Sequence, residues 1–180
     1  MESLEQLNKT WEPLVEAETC VGIGVNTGEA LVGNIGTDRK FKYGPLGTTV
    51  NLASRVQGAT KYLKTPILIT GNTVAQLSEE FRTRRLCQVQ VQNIAEPVEL
   101  HELACPNETD DWARLARKYE EALSEFESNN LPAASAALSS VLIERPHDGP
   151  CLQLMYRVAE AMLLDDSGTE FSPVWELPGK

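Results

Sequence analysis

The most informative part of the 180-residue sequence runs from Lys40 to Arg55 and reads KFKYGPLGTTVNLASR. Its second half predicts a helix over residues 49–61, on which Asn51 and Arg55 stand four apart and therefore share one face. An amide and a rigid guanidinium fork at this spacing can grip a polyanionic ligand. The same pair is also typical of an ordinary solvated helix face, so the two residues alone leave both interpretations open.

The surroundings of this pair are basic, although the chain is acidic. Residues 39–64 contain six Lys and Arg and no Asp or Glu, whereas the whole chain has 16 basic and 26 acidic residues and a net charge of -10. Such an excess of acid excludes proteins that coat nucleic acids or anionic membranes, and no nucleic-acid partner is expected.

Residues 1–105 predict a mixture of helices and strands. A helix is expected over residues 1–17, and the alternating stretches 20–25 and 29–35 predict two antiparallel strands joined by the turn Asn26-Thr27-Gly28. A further strand is expected over residues 66–70, and a closing hairpin over 85–91 and 98–103. Gly22, Gly24 and Gly28 do not have the spacing of a dinucleotide loop and indicate close backbone packing.

Residues 106–180 predict helices only. Apolar residues recur every three or four positions from Trp112 to Phe126, from Ala134 to Leu142, and again from Leu152 to Met162. Acidic residues outnumber basic ones by 14 to 6 in this part. We therefore predict two units, 1–105 and 106–180. Two short helices ending at a proline and followed by a third have the spacing of a tetratricopeptide-like unit, without its full repeat signature, and a plain helical hairpin that caps the first unit is the alternative.

Four blocks of the first unit resemble the catalytic domain of class III adenylate and guanylate cyclases. They are VGIGVNTGEALVGNIG (21–36), YGPLGTTVNLASR (43–55), PILIT (66–70) and VELHEL (98–103), and the resemblance covers about residues 3–104. It implies an α+β fold, namely the C-terminal half of a ferredoxin-like cyclase domain with an antiparallel sheet and helices. A small all-α helical hairpin extension follows, similar to that of bacterial multidomain members.

The resemblance also implies a reaction and a site. ATP or GTP would be converted to a 3',5'-cyclic nucleotide and pyrophosphate, with Arg55 stabilising the α-phosphate and Asn51 orienting the ribose. Two Mg or Mn ions would assist. Each active site of the family lies at a dimer interface, so a homodimer or pairing with a complete cyclase domain is expected.

The chain departs from the family's pattern at three points. Gly44 occupies the position of a purine-reading Asp or Thr, and Gln92 stands where many members have a lysine for the terminal phosphates. The family's two metal-binding aspartates belong to strands upstream of the part matched here, so we expect no metal ligand in this chain and no activity of the chain alone.

A second function remains open at this stage. The half-domain could be non-catalytic, with the helices acting as a protein-interaction module that binds a protein partner. A cytoplasmic location is expected because no apolar run suits a signal peptide or membrane span, although a longer parent could be anchored in a membrane.

Overall fold

A computed structural model of the chain describes residues 2–12, 19–37, 40–92, 94–105, 110–164 and 171–176. These ranges contain six helices: α1 (Glu2–Trp11), α2 (Thr48–Leu63), α3 (Gly71–Val74), α4 (Asp110–Glu127), α5 (Leu131–Glu144) and α6 (Gly149–Leu164). They also contain seven strands: β1 (Ile23–Val25), β2 (Leu31–Thr37), β3 (Lys40–Leu46), β4 (Ile67–Thr70), β5 (Thr83–Gln90), β6 (Val98–Leu103) and β7 (Trp175–Glu176). The predicted α+β fold class is confirmed, and residues 110–164 form helices as predicted. The prediction of helices alone after residue 105 is wrong at β7, which pairs with β5.

Five strands form one mixed sheet in the order β1-β4-β6-β5-β7. β1 runs parallel to β4, β6 runs antiparallel to both β4 and β5, and β7 runs parallel to β5. β1 therefore lies at one edge of the sheet, and within the described ranges no strand pairs with its outer side. The predicted closing hairpin is confirmed as β5 and β6.

The predicted pairing of residues 20–25 with 29–35 is wrong. β1 pairs with β4, Ile23 lying opposite Ile67, whereas β2 forms a separate antiparallel hairpin with β3. Both strands exist, but Asn26 and Thr27 lead out of the sheet instead of turning back into it. The predicted helix over 1–17 is present as α1, and residues 13–18 lie outside the described part.

One apolar core lies between the sheet and the helices, and it includes residues from both predicted units. The Tyr119 hydroxyl of α4 donates a hydrogen bond of 2.8 Å to the Leu86 carbonyl of β5. Burial raises the pKa values of Tyr119 and Cys87, so both stay neutral in the core. The fully buried residues of this apolar core include Leu63, Leu68, Leu86, Leu100, Tyr119, Leu123, Phe126, Leu138 and Leu154. The predicted boundary at residue 105 therefore falls between β6 and α4 but does not divide this core.

A buried ion-pair cluster joins β5, β6 and the start of α6. The Arg84 guanidinium lies 2.6 Å from a Glu102 carboxylate oxygen and 2.9 Å from Asp148, and Arg84 is only 2% exposed. The guanidinium carbon of Arg84 lies 4.9 Å from the centre of the Tyr119 ring. Asp148 also accepts a hydrogen bond of 2.9 Å from the Cys151 backbone, so it caps α6 as well.

The outer edge of β5 is covered in two places. Val89 and Gln90 pair with Trp175 and Glu176 of β7. Farther back along the strand, the Arg85 backbone N–H donates to a Glu120 carboxylate oxygen of α4 at 2.7 Å. A strand and a side chain thus occupy backbone groups that an exposed edge would leave free.

The third predicted helix is confirmed as α6, but of the apolar residues that predicted it only Met155 packs against the core, and the others are exposed. Its buried face is formed by Cys151, Leu154 and Val158. Leu152 and Tyr156 are 45% and 61% exposed. The helical period was therefore readable from the sequence, whereas the face turned towards the core was not. No helix in the described ranges is long and apolar enough to cross a membrane.

Candidate functional site

Two glycines bring helix α2 directly onto the backbone of β1. A Cβ atom added at Gly24 would lie 2.2 Å from the Gln57 nitrogen and 2.7 Å from the Ala53 oxygen, both in the backbone of α2. A Cβ atom at Gly22 would lie 2.1 Å from the Thr60 hydroxyl. Any larger residue at Gly24 would push the helix away. The prediction of close backbone packing is confirmed at Gly24, whereas the nearest atoms at Gly22 and Gly28 belong to the side chains of Thr60 and Thr49.

Polar side chains hold the first turn of α2. Asn26, just after β1, donates to the Thr49 carbonyl at 3.0 Å and accepts at 2.8 Å from the Thr70 hydroxyl at the end of β4. Thr49 in turn donates to the Glu29 carbonyl at 2.5 Å. The sequence pattern indicated only a turn at Asn26 and did not reveal this role. The signal was its amide, which can donate through its NH₂ group and accept through its oxygen at the same time.

The start and end of α2 follow from its flanking residues. Gly47, immediately before the helix, has a φ of 131°, a conformation that only glycine adopts readily. Lys64 closes the helix in the left-handed conformation, with a φ of 55°. Between them, Leu52, Val56 and Leu63 face the core. The helix is thereby fixed in length and rotation.

Asn51 and Arg55 lie together on the opposite, solvent-exposed face of α2. They are one turn apart and come from the half of the helix that the Asn26 network anchors. Among the described residues, neither side chain has a hydrogen-bond or ion-pair partner, whereas Arg84, Arg85 and Arg114 are all paired with carboxylates. An amide and a full set of guanidinium donors are therefore presented to solvent on one rigid surface.

Further positive charge lies close by in sequence, on the strand before the helix and at its end. Lys40 and Lys42 of β3 and Lys61 and Lys64 near the end of α2 are all exposed. Arg39 lies outside the described residues. A basic surface with free donors is suited to a phosphate-bearing ligand.

The structure does not bring the two remaining predicted positions up against this pair. Gly44 lies on β3 opposite Gly33, and an added Cβ atom would only touch Ile35 at 3.8 Å, so there is room for a side chain. Gln92 is exposed in the turn after β5. β1 and β5 run in the same direction, so Gln92 lies at the sheet end from which α2 starts. Three strand spacings of about 4.8 Å separate β1 from β5.

The described residues do not provide a metal centre. Within them, no three His, Cys, Asp or Glu side chains come together in a way that could hold a metal ion. Asp38 lies outside the described part of the chain. The surface around Asn51 and Arg55 thus has donors for a phosphate but lacks the carboxylate oxygens that Mg²⁺ or Mn²⁺ requires.

Comparison with known proteins gives matches to the first unit. Residues 2–104 match the family described as "Adenylate and Guanylate cyclase catalytic domain". Adenylate cyclase 1 of Rhizobium meliloti is 30% identical over 102 residues, which are 57% of this chain and 15% of that protein. The adenylate cyclase of Anabaena cylindrica is 34% identical over 101 residues, covering 54% of this chain and 19% of that protein.

A solved structure is similar as well. The crystal structure of the adenylyl cyclase CyaB from P. aeruginosa matches with a TM-score of 0.50 and 27% identity, covering 58% of this chain and 53% of that one. The chain spans less than a fifth of the two curated relatives and about half of the solved chain.

Proposed function

This chain belongs to the family of adenylate and guanylate cyclase catalytic domains, and on that premise we propose that it supplies the substrate-binding helix of a nucleotide cyclase. The observation that carries the proposal is the pair Asn51 and Arg55, exposed, without partners among the described residues, and held on one face of α2. In this proposal the substrate is a nucleoside triphosphate, ATP or GTP, and the product is a 3',5'-cyclic nucleotide that serves in signal transduction.

The chemistry assigns each of the two residues a task. The ribose 3'-oxygen forms a bond to the α-phosphorus, the bond from that phosphorus to the bridging oxygen breaks, and pyrophosphate leaves while the 3'-hydroxyl loses its proton. Negative charge grows on the α-phosphate oxygens, and Arg55 stabilises it with its guanidinium. Asn51 forms a hydrogen bond to the ribose and holds the 3'-hydroxyl in line with the α-phosphorus. Because Gly44 has no side chain to read the base, the choice between ATP and GTP is left to other residues.

The two metal ions of the proposed reaction need carboxylates that the described residues do not supply. We therefore propose that the chain acts as the C-terminal half of a cyclase domain, paired with a second copy or with a complete domain. The apolar surfaces left open on the first unit support pairing: Val21, Ile23 and Val25 at β1 are 52%, 45% and 39% exposed, and Phe41 and Tyr43 on β3 are 63% and 74% exposed. Residues 106–180 are then a tetratricopeptide-like extension.

The test is a complementation assay. The partner is the catalytic domain of the P. aeruginosa relative, with the two positions that correspond to Asn51 and Arg55 replaced by alanine. By the family pattern this partner would keep the metal ligands and lack the pair. We expect no cyclic nucleotide from either protein alone with ATP or GTP and Mn²⁺, and measurable product from the mixture.

Variants identify the residues responsible. Arg55→Ala in the 180-residue chain should lower turnover of the mixture by about 100-fold or more, with a much smaller change in KM, since Arg55 acts on charge that develops in the transition state. Arg117→Ala, which removes an exposed cation of α4 outside the proposed site, is the control and should keep near-parental turnover. Equal loss in both variants, or none in either, would exclude Arg55 from the site.

The second candidate function is a non-catalytic half-domain joined to a protein-interaction module, and the exposed apolar face of α6 favours it. Leu152, Tyr156 and Leu163 are 45%, 61% and 82% exposed and stand four and seven residues apart, a spacing typical of a face that packs on another helix. The same assay separates the two functions. A stable complex that forms without restoring activity supports the interaction module.

A further inference from the structure

A cavity lies in the helical extension, and neither Asn51 nor Arg55 lines it. It has a volume of about 260 Å³ and is bounded by the end of α4, the second half of α6 and residues 171–176 of the tail. Cavities for drug-sized ligands start at roughly 300 Å³, so this one suits a small metabolite. Its walls are partly apolar, with Phe126, Phe171 and Leu164 on the lining and the two phenylalanine rings in edge contact at 5.2 Å.

Arg157 of α6 is the basic residue of the lining, and its hydrogen-bonding capacity is little used. Nη1 donates to Glu160 at 3.4 Å and Nη2 donates to the Ser172 carbonyl at 3.3 Å, both longer than usual. By contrast, Arg85 bonds both oxygens of Glu127 at 2.8 and 2.6 Å. The Arg157 Nε atom is buried with no partner among the described residues. Each Nη atom also has a second N–H without a partner among the described residues, so the guanidinium has donors to spare for a carboxylate.

The position of Arg157 is nevertheless well defined. Its guanidinium carbon lies 5.5 Å from the centre of the Trp175 ring, and Trp175 is 1% exposed and anchored on β5 through β7. Stacking on a fixed aromatic face orients the guanidinium before any ligand arrives. The Arg157 guanidinium is thus fixed in orientation while some of its hydrogen-bond donors are unused.

The other charged groups of the lining are carboxylates. Among the described residues of the lining, Glu160, Glu176 and Arg157 carry the charges, and together they give a net charge of -1. A plain carboxylate would meet repulsion from these two groups, and a plain amine would leave the Arg157 donors unused. A zwitterion satisfies both, with its carboxylate on Arg157 and its ammonium towards the glutamates.

We propose that this cavity binds a free α-amino acid with an apolar side chain, held by its carboxylate on Arg157, its ammonium beside Glu160 and Glu176, and its side chain against Phe126, Phe171 and Leu164. The site is independent of the proposed cyclase chemistry. Because Glu176 belongs to the strand that pairs with β5, an occupied site fastens the tail to the sheet two residues before Gln92.

Isothermal titration of the 180-residue chain with L-phenylalanine and L-leucine tests the proposal. We expect saturable binding of at least one of them at millimolar concentration or below. For that amino acid, the analogue lacking the ammonium and the amine lacking the carboxylate should each bind at least about tenfold more weakly, because each leaves a charged group unpaired. For phenylalanine these compounds are 3-phenylpropionate and phenethylamine.

The variant Arg157→Gln should weaken binding at least about tenfold, whereas Arg114→Gln, an exposed arginine on α4, should leave it unchanged. Absence of saturation by both amino acids overturns the proposal, as does equal affinity for the three compounds or undiminished binding by Arg157→Gln. If Arg157→Gln does not fold, the ligand series on the unaltered chain decides the matter.

Discussion

Arg84 illustrates how a single buried charge is kept in this protein. Burial works against its charged form, but Glu102 and Asp148 together outweigh that effect and raise the pKa of Arg84 above its ordinary value. The same three residues come from β5, β6 and the cap of α6. Removing one carboxylate leaves a buried cation that is only partly neutralised. The resulting loss of stability is larger than the net stabilisation that the intact ion pair provides.

We predict that Asp148→Asn lowers the free energy of unfolding by about 1.5–3 kcal/mol, the range for losing a hydrogen bond to a charged group. Asparagine still caps α6, so the substitution removes the charge and keeps the cap. Urea unfolding measures the change. Asp111→Asn, at an exposed position of α4, is the control and should leave the midpoint where it is. Equal midpoints for both variants would show that the cluster does not stabilise the fold.

A second ion-pair cluster joins the helices α4 and α5. Glu144 at the end of α5 accepts hydrogen bonds from Arg114 and from Lys118 of α4, with distances of 3.0 and 3.1 Å to one of its oxygens. Hydrogen bonds from Arg114 and then Lys118 lower the pKa of Glu144 from its ordinary 4.5 to about 2. The pair is solvent-exposed, so salt screens it.

The lowered pKa of Glu144 predicts a pH dependence of stability. Because the folded value lies below the ordinary one, the stabilisation is complete above pH 4.5 and disappears as the pH falls to about 2. Glu144→Gln should therefore unfold at a lower urea concentration than the parent at pH 7 and at the same concentration near pH 2. The difference at pH 7 should shrink in high salt. A difference that is constant with pH would contradict this assignment.

At the level of elements, the hairpin β2–β3 and the edge strand β1 predict association. Both carry exposed apolar side chains, including Ile23 and Phe41, at 45% and 63%. We expect the chain to form a dimer or a larger species, and the variant Ile23→Lys with Phe41→Lys to shift it towards monomer. Ile143→Lys, at an 81% exposed position of α5, is the control. Light scattering over a dilution series measures the mass. A mass of 19.8 kDa for the parent at every concentration would refute the prediction.

The sequence predicted most elements but not all of their partners. β5 and β6 are local neighbours joined by a short turn, and their pairing was predicted correctly. β1 and β4 are joined by a long connection that includes a hairpin and α2, and parallel pairing leaves no turn signal in the sequence. The two-residue strand β7 is too short to show a pattern. The local hydrophobic periodicity of the sequence thus predicts helices and strands. The pairing of strands that are distant in sequence is decided by packing.

The candidate site was predictable to a similar degree. The spacing of Asn51 and Arg55 placed them on one helix face, and both are indeed exposed together on α2. The hydrogen bonds that hold the first turn of α2 were not predictable. Asn26 and Thr70 are 44 residues apart in sequence and meet only when β1 pairs with β4. The functional roles of Asn51, Arg55, Gly44 and Gln92 stay predictions.

At the scale of the whole molecule, the two predicted units depend on one another because the core crosses the boundary between them. Leu86 and Leu100 of the sheet are fully buried in the same cluster as Leu123 and Phe126 of α4. Removal of α4 exposes several such side chains to water, at a cost of roughly 1.5–3 kcal/mol each. That sum is comparable with the whole stability of a small domain.

We therefore expect residues 1–105 alone not to fold. Circular dichroism and limited proteolysis would measure this, with the 180-residue chain as reference. The predicted result is loss of cooperative thermal unfolding and rapid digestion throughout residues 1–105. A truncated chain that melts cooperatively and resists protease would show that the sheet is stable without its helical cover.

The two sides of the sheet differ in a way that limits how large an assembly can grow. The β5 side is blocked by β7 and by the Glu120 carboxylate, whereas β1 has no strand beside it within the described ranges. A contact through β1 alone can only join like to like, so two chains related by a twofold axis use up both available edges. Head-to-tail stacking into a filament would require a second adhesive edge, which the tail has removed. Strand β7 thus covers one edge of the sheet and favours closed pairs over open-ended polymers.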